Sequence, residues 1–487
     1  MEEEVQTCAV AELNKISAEK CSSQSRSLAL LMEKEQEQAH EASSSEEVTF
    51  LYVQTEDGSL TKQEIMASAD DSKKPPPPPP PPPRPPVSLG SFKPESDKLE
   101  DLTERERMAL YELRCEIQAY LESKRTAAEA AGKKKPPKIT EESSTSIWGI
   151  PLLEDERSDV VLLKFLRARD FEVSDALSMI KDTIQWREHF GIDKIESEDL
   201  GDDWDQVVFM QGQDRSGHPV CYNVYGVFRN KELYQKAFSD EKKRTNFLRW
   251  RIQFLEKSIK QLDFHPGGVS TIFQVNDLKN SPGPSKRELR MVARQALLLL
   301  QDNYPEFVAK QVFINVPWWY LAFYTILSPF MTQRTKSKLV FAGPSKTSDT
   351  LLKYIAAEQV PVQYGGLSMN TCDCNQEFTV NDPVTDIILK PGTKQTVEII
   401  VYEQCEILWE LRVLGWEVTY AAEFAPQKKQ AYNLIIQKPT KMSSDDEPVV
   451  CECFKVTELG KILLTIDNPT SKKKKLLYRF KVKPHSN

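Results

Sequence analysis

Three groups of side chains along this chain have the types and spacing to do chemistry. Along Leu162, Phe165, Leu166 and Arg169 the offsets are 0, 3, 4 and 7, which puts a guanidinium on an apolar helical stripe. Such a group must meet a carboxylate, backbone carbonyls or a phosphate, because an unpaired buried charge is strongly unfavourable. Tyr304-Pro305-Glu306 closes a helical stretch just before a strand, and Thr335, Lys336 and Lys338 lie on the approach to another. Lysine and hydroxyl donors beside a chain turn suit a phosphorylated headgroup, and a carboxylate suits sugar hydroxyls. Structural ion pairs and plain solvated lysines would use the same residue types. Between these groups runs Pro317 to Phe330, uncharged and apolar on nearly every face, with Trp318, Trp319, Tyr320, Phe323, Tyr324 and Phe330. A core helix explains that apolarity. A lid over an apolar cavity explains it too, and accounts for aromatics with polar tips where membrane is met.

Other chemistries are missing. Gly212 to Gly217 has the glycine spacing of a phosphate loop, but His218 and Pro219 stand where Lys-Ser/Thr is required, so a hairpin turn is expected. Neither a nucleophile elbow nor a dinucleotide-binding glycine pattern occurs, and His40, His189, His218, His265 and His485 are isolated. No enzyme activity, cofactor or metal is expected. The pairs Cys372/Cys374 and Cys451/Cys453 could in principle converge on zinc, but without a knuckle geometry reduced thiols are the default.

The elements that must position these groups follow from periodicity. A helix is expected over Thr103 to Ser123, with Leu102, Leu110, Leu113, Ile117 and Leu121 at helical spacing, and a linker from Ala127 to Lys138. Ser158 is a plausible N-cap for a helix through Arg169, and Ser174 for one through Arg187. Strands Val207 to Met210 and Val220 to Tyr225 flank the turn Asp214 to Gly217. After them come helix Glu241 to Leu262, strand Thr271 to Val275, helix Lys286 to Gln301, strand Val312 to Val316, the aromatic helix, strand Leu339 to Phe341 and helix Thr350 to Glu358. That alternation indicates an α/β sheet. Beyond about Asn370 seven strand-like runs, from Thr396 to Val482, indicate a β-sandwich.

Charge and composition bound the rest. The 487 residues suffice for roughly two to four domains. The net charge of −8 is uneven: residues 1–74 carry −9 and the remainder +1, which argues against a nucleic-acid binder. Eleven of the 31 prolines fall in residues 75–86, as a stiff polyproline spacer or a ligand for aromatic-lined partner domains. Few aromatics and many Ser, Glu and Gln residues make residues 1–95 read as disordered. Phe50 to Val53 could form a transient strand or docking motif. Residues 1–20 hold five glutamates and no apolar h-region, so no secretory leader is expected, and nine dispersed cysteines suit a reducing, cytosolic setting. Gln311 to Gln333 has no charged side chain over 23 residues, yet Pro317 and Pro329 interrupt it, so a buried or lipid-facing segment is expected rather than a membrane span.

Leu162-Leu163-Lys164-Phe165-Leu166-Arg167-Ala168-Arg169 resembles the helical motif of CRAL-TRIO lipid-transfer proteins, the family of the yeast phosphatidylinositol transfer protein. Tyr304-Pro305-Glu306, Phe313-Ile314-Asn315-Val316-Pro317, the aromatic helix, Pro329-Phe330 and Val362-Gln363-Tyr364-Gly365-Gly366 match that family in order. With a following sandwich similar to a GOLD domain, the acidic proline-rich lead and Trp148-Gly149-Ile150-Pro151-Leu152-Leu153, the chain resembles the plant patellins. The resemblance implies a disordered lead (1–95), a helical segment and linker (96–146), a CRAL-TRIO helical subdomain (147–203), an α/β CRAL-TRIO lipid-binding domain (204–369) and a GOLD-like all-β sandwich (370–487). It implies a phosphoinositide headgroup site at Arg169, Glu306, Thr335 and Lys338, with the aromatic helix as the gate to an acyl-chain pocket. Two departures are notable: Asp170 stands where a basic residue often follows the motif arginine, and Ile272 and Gln274 replace the hydroxyl pair that holds choline. The resemblance further implies a cytoplasmic and peripheral membrane protein, at plasma membrane or cell plate, acting in vesicle traffic and plant cytokinesis. A membrane scaffold that never exchanges lipid is the alternative. Lys472 to Lys475 precede a strand and read either as a solvated hairpin tip or as a contact for anionic membrane.

Overall fold

The computed structural model describes residues 51–54, 60–63, 95–130, 146–201, 204–282, 286–317, 320, 333–369, 377–428, 432–443 and 448–484. Within the acidic lead, β1 (Leu51–Gln54) and β2 (Leu60–Gln63) pair antiparallel. The proline run lies outside the described residues.

Helix α1 (Glu104–Ala130) runs past its expected end at Ser123 and into the expected linker. Ala127, Ala128 and Ala130 are strong helix formers, and the first breaker is Gly132. The hairpin β3 (Ser146–Ile147) and β4 (Ile150–Pro151) leads to α2 (Glu156–Ala168), α3 (Val173–Phe190) and α4 (Ile192–Ile195). Leu110, Leu113 and Ile117 of α1 share a buried core with Leu162, Phe165 and Leu166 of α2 and Ile180 of α3. Two expected N-caps move. Asp155 caps α2, accepting from Arg157 N while Ser158 Oγ accepts from Asp155 N, so Ser158 is the third residue of a capping box and not the cap. Ser174 lies inside α3, which has no side-chain cap and continues beyond Arg187 to Phe190, where Gly191 (φ 73°) closes it in the left-handed region.

Strands β5 (Val208–Gln213), β6 (Pro219–Val224), β7 (Ile272–Asp277), β8 (Val308–Ile314) and β9 (Leu339–Phe341) form one sheet in that order. β5 is antiparallel to β6, and the others run parallel. Asp214 Oδ1 accepts from Ser216 N and His218 N, which makes Gly212 to Gly217 a hairpin turn. The helices between the strands are α5 (Lys231–Phe238), α6 (Glu241–Ile259), α7 (Arg287–Asn303), α8 (Gln333–Lys338) and, after β9, α9 (Thr347–Tyr354). Val220, Tyr222, Phe273, Val275, Val312 and Ile314 bury one face of the sheet against Leu351 and Leu352 of α9. On the other face Val208, Cys221 and Ile272 pack with Phe238 of α5, Phe247 and Trp250 of α6 and Val292 of α7.

The C-terminal part is a sandwich of two antiparallel sheets. Its strands are β10 (Thr385–Leu389), β11 (Thr393–Val401), β12 (Cys405–Leu414), β13 (Val418–Pro426), β14 (Leu434–Met442), β15 (Val450–Val456), β16 (Gly460–Asn468) and β17 (Lys474–Pro484). They are ordered β10-β17-β12-β15 and β11-β16-β13-β14. Strand β10 escaped the sequence reading because only Leu389 of its five residues is buried, so it shows no alternation. Ile407, Trp409 and Leu411 of β12 fill the sandwich core, while Glu410, Arg412 and Leu414 alternate to the outer face. That outer face is not solvated. Leu477 and Val449 join Val360, Tyr364 and Leu367 of the α/β domain in one core, with Leu414 and Cys451 against it.

Charged groups fix this junction. Arg412 Nη1 donates to Val362 O and, at 2.8 Å, to Gly366 O, and burial pushes its guanidinium down to about 10. Arg479 pairs with Glu410 at 2.8 Å, with both side chains at 5% or less exposure, and also donates to Thr379 O and Asp382 O. Removing one partner of such a pair strands the other charge, at about 3–5 kcal/mol. Arg479→Met should therefore lower unfolding stability by about that amount in guanidinium chloride titration. Adding Glu410→Leu should recover most of the loss, and a single variant with unchanged stability would refute the role given to this pair.

Candidate functional site

The turn Tyr304-Pro305-Glu306-Phe307 between α7 and β8 is held from three sides. Tyr304 Oη donates to Glu256 Oε1 at 2.5 Å, and Glu256 is itself paired with Arg187 at 2.6 and 3.0 Å. The Trp148 ring, raised on the β3–β4 hairpin, packs edge-on against Phe307 at 4.5 Å and stacks on Phe165 at 5.9 Å. From α2, Lys164 Nζ donates to Glu306 O at 3.0 Å and to Ser270 O at 2.8 Å. It also lies 4.5 Å from the Phe307 ring centre. Lys164 is 2% exposed. Burial pushes its ammonium down to about 7, with Asp97 and Glu306 opposing the shift and Arg167 and Lys338 reinforcing it.

This clamp presents Glu306. Its φ of 56° places the residue in the left-handed region, a strained geometry that surrounding bonds must hold. The carboxylate reaches Lys338 at the end of α8: Nζ to Oε2 is 2.7 Å, with side chains 28% and 19% exposed. A half-buried carboxylate and ammonium, side by side at the start of two parallel strands, can hydrogen-bond hydroxyls and a phosphate together. Thr335 lies on the α8 backbone, but its side chain is outside the described residues.

Arg169 is placed differently from its expected position. The helix stops at Ala168, Arg169 is the C-cap with φ −125°, and its Nη1 donates to Ala168 O at 3.1 Å. The helical count of offsets therefore does not continue to Arg169, and the stripe geometry is corrected. Asp170 (φ 50°) and Phe171 (φ 63°) turn the chain away at once. Arg169 is half-buried near Asp302, whose carboxyl is pushed up by burial and drawn back by Arg169. The buried cations of α2 are Lys164 and Arg167, and Arg167 pairs with Glu95 and Asp97. Sequence reading passed over Lys164 as an ordinary lysine. The available signal was a charge inside the otherwise apolar run Val160 to Leu166.

Of the expected gate, Trp318, Trp319, Phe323, Tyr324 and Phe330 lie outside the described residues, as do Cys372 and Cys374. Tyr320 packs on Phe313 at 5.7 Å and on Phe341 at 6.2 Å, and burial pushes its phenol up. Phe313 and Phe341 are opposite in register on β8 and β9, so the segment starts over the inner sheet face. On that face Gln311 Nε2 donates to Gln274 Oε1 at 2.8 Å, while Ile272 is buried in the core beside it. Lys472 to Lys475 do not form a four-lysine patch. Lys474 is buried with Nζ on Gly415 O, and Lys475 is half-buried 3.5 Å from Asp386, which leaves Lys472 and Lys473 exposed. The Cys451 thiol lies 3.8 Å from Glu410 Oε1, Cys453 is exposed, and among the described residues no cluster of three metal-ligating side chains occurs. Among the same residues no helix is long and apolar enough to cross a membrane.

The mixed sheet and its helical cap define a CRAL-TRIO lipid-binding protein. Residues 203–366 match the family described as CRAL/TRIO domain, residues 116–182 the CRAL/TRIO N-terminal domain, and residues 390–474 the Patellin-1-like C-terminal GOLD domain. The chain is 61% identical to Patellin-3 of Arabidopsis thaliana, over 88% of its own length and 85% of that protein. It is 65% identical to Patellin-5 of the same plant, over 82% of its length and 57% of that protein. The chain belongs to the patellin family. A protein named phosphatidylinositol transfer protein SFH5, from Meyerozyma guilliermondii, is 27% identical over 49% of this chain and 76% of its own. The crystal structure of Sfh5 superposes with a TM-score of 0.44 at 21% identity, over 57% of this chain and 90% of that one.

The Lys164 clamp makes a pH-dependent prediction. Between its folded value near 7 and the unfolded 10.5, only the unfolded chain holds the extra proton. Stability must therefore rise as pH rises through that window. Urea unfolding from about pH 7 to 10 should show a slope for the native protein exceeding that of Lys164→Met by up to about 1.4 kcal/mol per pH unit. Equal slopes would refute the assignment.

Proposed function

We propose that this chain is a non-enzymatic carrier that takes up one lipid, presents phosphoinositide to Arg169, Glu306, Thr335 and Lys338, and serves membrane traffic. The half-buried Glu306–Lys338 pair carries this reading: 2.7 Å apart, the two groups neutralise one another until a phosphate draws the ammonium and inositol hydroxyls occupy the carboxylate. The family's relative named for phosphatidylinositol transfer supports the same chemistry. In this reading the Trp318 to Phe330 segment opens against a membrane, with Lys472 and Lys473 adding attraction of about 1 kcal/mol each toward anionic lipid. Delivery of membrane to the cell plate of a dividing plant cell, by a cytoplasmic protein that associates peripherally, is the setting we infer from the family.

Transfer of fluorescent phosphatidylinositol between vesicles tests the carrier role. Lys338→Ala should reduce transfer at least tenfold, since a charge-assisted hydrogen bond contributes about 1.5–3 kcal/mol. Glu306→Gln should reduce it less, because an amide still accepts from hydroxyls. Native protein that floats with phosphoinositide vesicles yet transfers nothing would establish the static scaffold in place of the carrier.

A further inference from the structure

The inner face of the sheet carries a second polar cluster, some 20 Å along the parallel strands from Glu306 by the rise per strand residue. Asn223 on β6 and Asn276 on β7 are opposite in register near the ends of their strands. Asn223 Nδ2 donates to Asn276 Oδ1 at 3.2 Å, and Arg251 Nη2, reaching down from α6, donates to Asn223 Oδ1 at 3.2 Å. Tyr225 Oη contacts the same Asn276 oxygen at 3.5 Å. Asn276 Oδ1 thus already accepts twice, and donors are left over. Arg251 Nη1 and Asn276 Nδ2 are buried and have no hydrogen-bond partner.

Two orphaned donors, one of them on a guanidinium, are an unusual state for a folded interior. Among the described residues no carboxylate pairs with Arg251, whose guanidinium carbon instead lies 5.8 Å from the ring centres of Trp250 and Phe254. Its titratable neighbours supply no negative charge: burial pushes the Cys221 thiol up to about 11 and also raises the Tyr225 phenol. Tyr225, which borders the cluster, is 36% accessible. Phe313 and Phe341 on β8 and β9, stacked at 5.2 Å, continue the same face with apolar surface. Tyr320, at the head of the gate segment, neighbours Tyr225.

We propose that Arg251 and Asn276, braced by Asn223, form an interior oxyanion site that receives the carboxylate or phosphate of an anionic amphiphile whose hydrocarbon lies along Phe254, Phe313 and Phe341. This rests on the reading that the domain shelters a hydrophobic cargo, and it names a chemistry for that cargo separate from the Glu306–Lys338 pair. An acceptor-only group with two oxygens meets both leftover donors and neutralises the guanidinium at once. A neutral ester meets one donor and leaves the charge uncompensated.

Fluorescence titration of the full chain tests it with two matched pairs of probes. These are cis-parinaric acid against its methyl ester, and pyrene-labelled phosphatidic acid against pyrene-labelled diacylglycerol. The native protein should bind at least one anionic member tenfold or more tighter than its neutral partner, and the preferred pair tells carboxylate from phosphate. Arg251→Met should abolish that preference while leaving the neutral probes within about twofold. Asn223→Asp supplies Arg251 with an internal carboxylate, so it should raise the melting temperature and weaken the anionic probes at least tenfold. Equal affinity for both members of each pair, or a preference that survives Arg251→Met in protein that still melts cooperatively, overturns the oxyanion site while leaving the carrier reading intact. Failure of the native protein to bind any of the four probes overturns both.

Discussion

One ammonium group ties the two halves of the lipid-binding region together. Lys164 leaves a helix of the N-terminal subdomain, passes through apolar surroundings and ends on two backbone carbonyls, one before β7 and one before β8. Both carbonyls belong to loops that would otherwise leave buried acceptors unmet. The strained backbone of Glu306 is held because its own carbonyl is one of these acceptors. The Glu306 carboxylate, and through it Lys338, is therefore positioned by a side chain that is itself buried.

The opposite end of the sheet has a comparable anchor. Asp277, at the end of β7, accepts from Asn315 Nδ2 at 2.7 Å and from Tyr364 Oη at 3.1 Å. Asn315, in turn, stands just before the aromatic segment. Tyr364 lies in the turn whose carbonyls Arg412 of the sandwich holds. A contiguous set of buried contacts thus joins the C-terminal sheet to Asn315, two residues before Pro317. The sandwich is a structural part of the lipid-binding unit, packed on it through Leu477, Val449 and the Glu410–Arg479 pair.

Much of this was legible in the chain itself. Periodicity located the five-stranded sheet and seven of the eight sandwich strands, because half-buried strands alternate and buried ones run apolar. Strand β10 was missed, being an edge element with a single buried residue. At the site, the residue types of Glu306 and Lys338 could be read, but their 2.7 Å pairing joins positions 32 residues apart and depends on two neighbouring parallel strands. The helix expected through Arg169 ends one residue earlier, at Ala168, with Arg169 as its C-cap, and the chain turns into left-handed backbone at Asp170 and Phe171.

The sequence by itself determined the element types, the order of the domains and the family, since these depend on local pattern and on motifs read in succession. Tertiary structure decided which charges are buried and what each one meets. Lys164, Arg167, Arg412, Arg479 and Lys474 look alike as letters among 64 lysines and arginines. They are set apart by burial, which makes an ionic group take a partner, shift its proton affinity or await a ligand. Burial follows from elements distant in sequence closing over a side chain, and no local pattern encodes it.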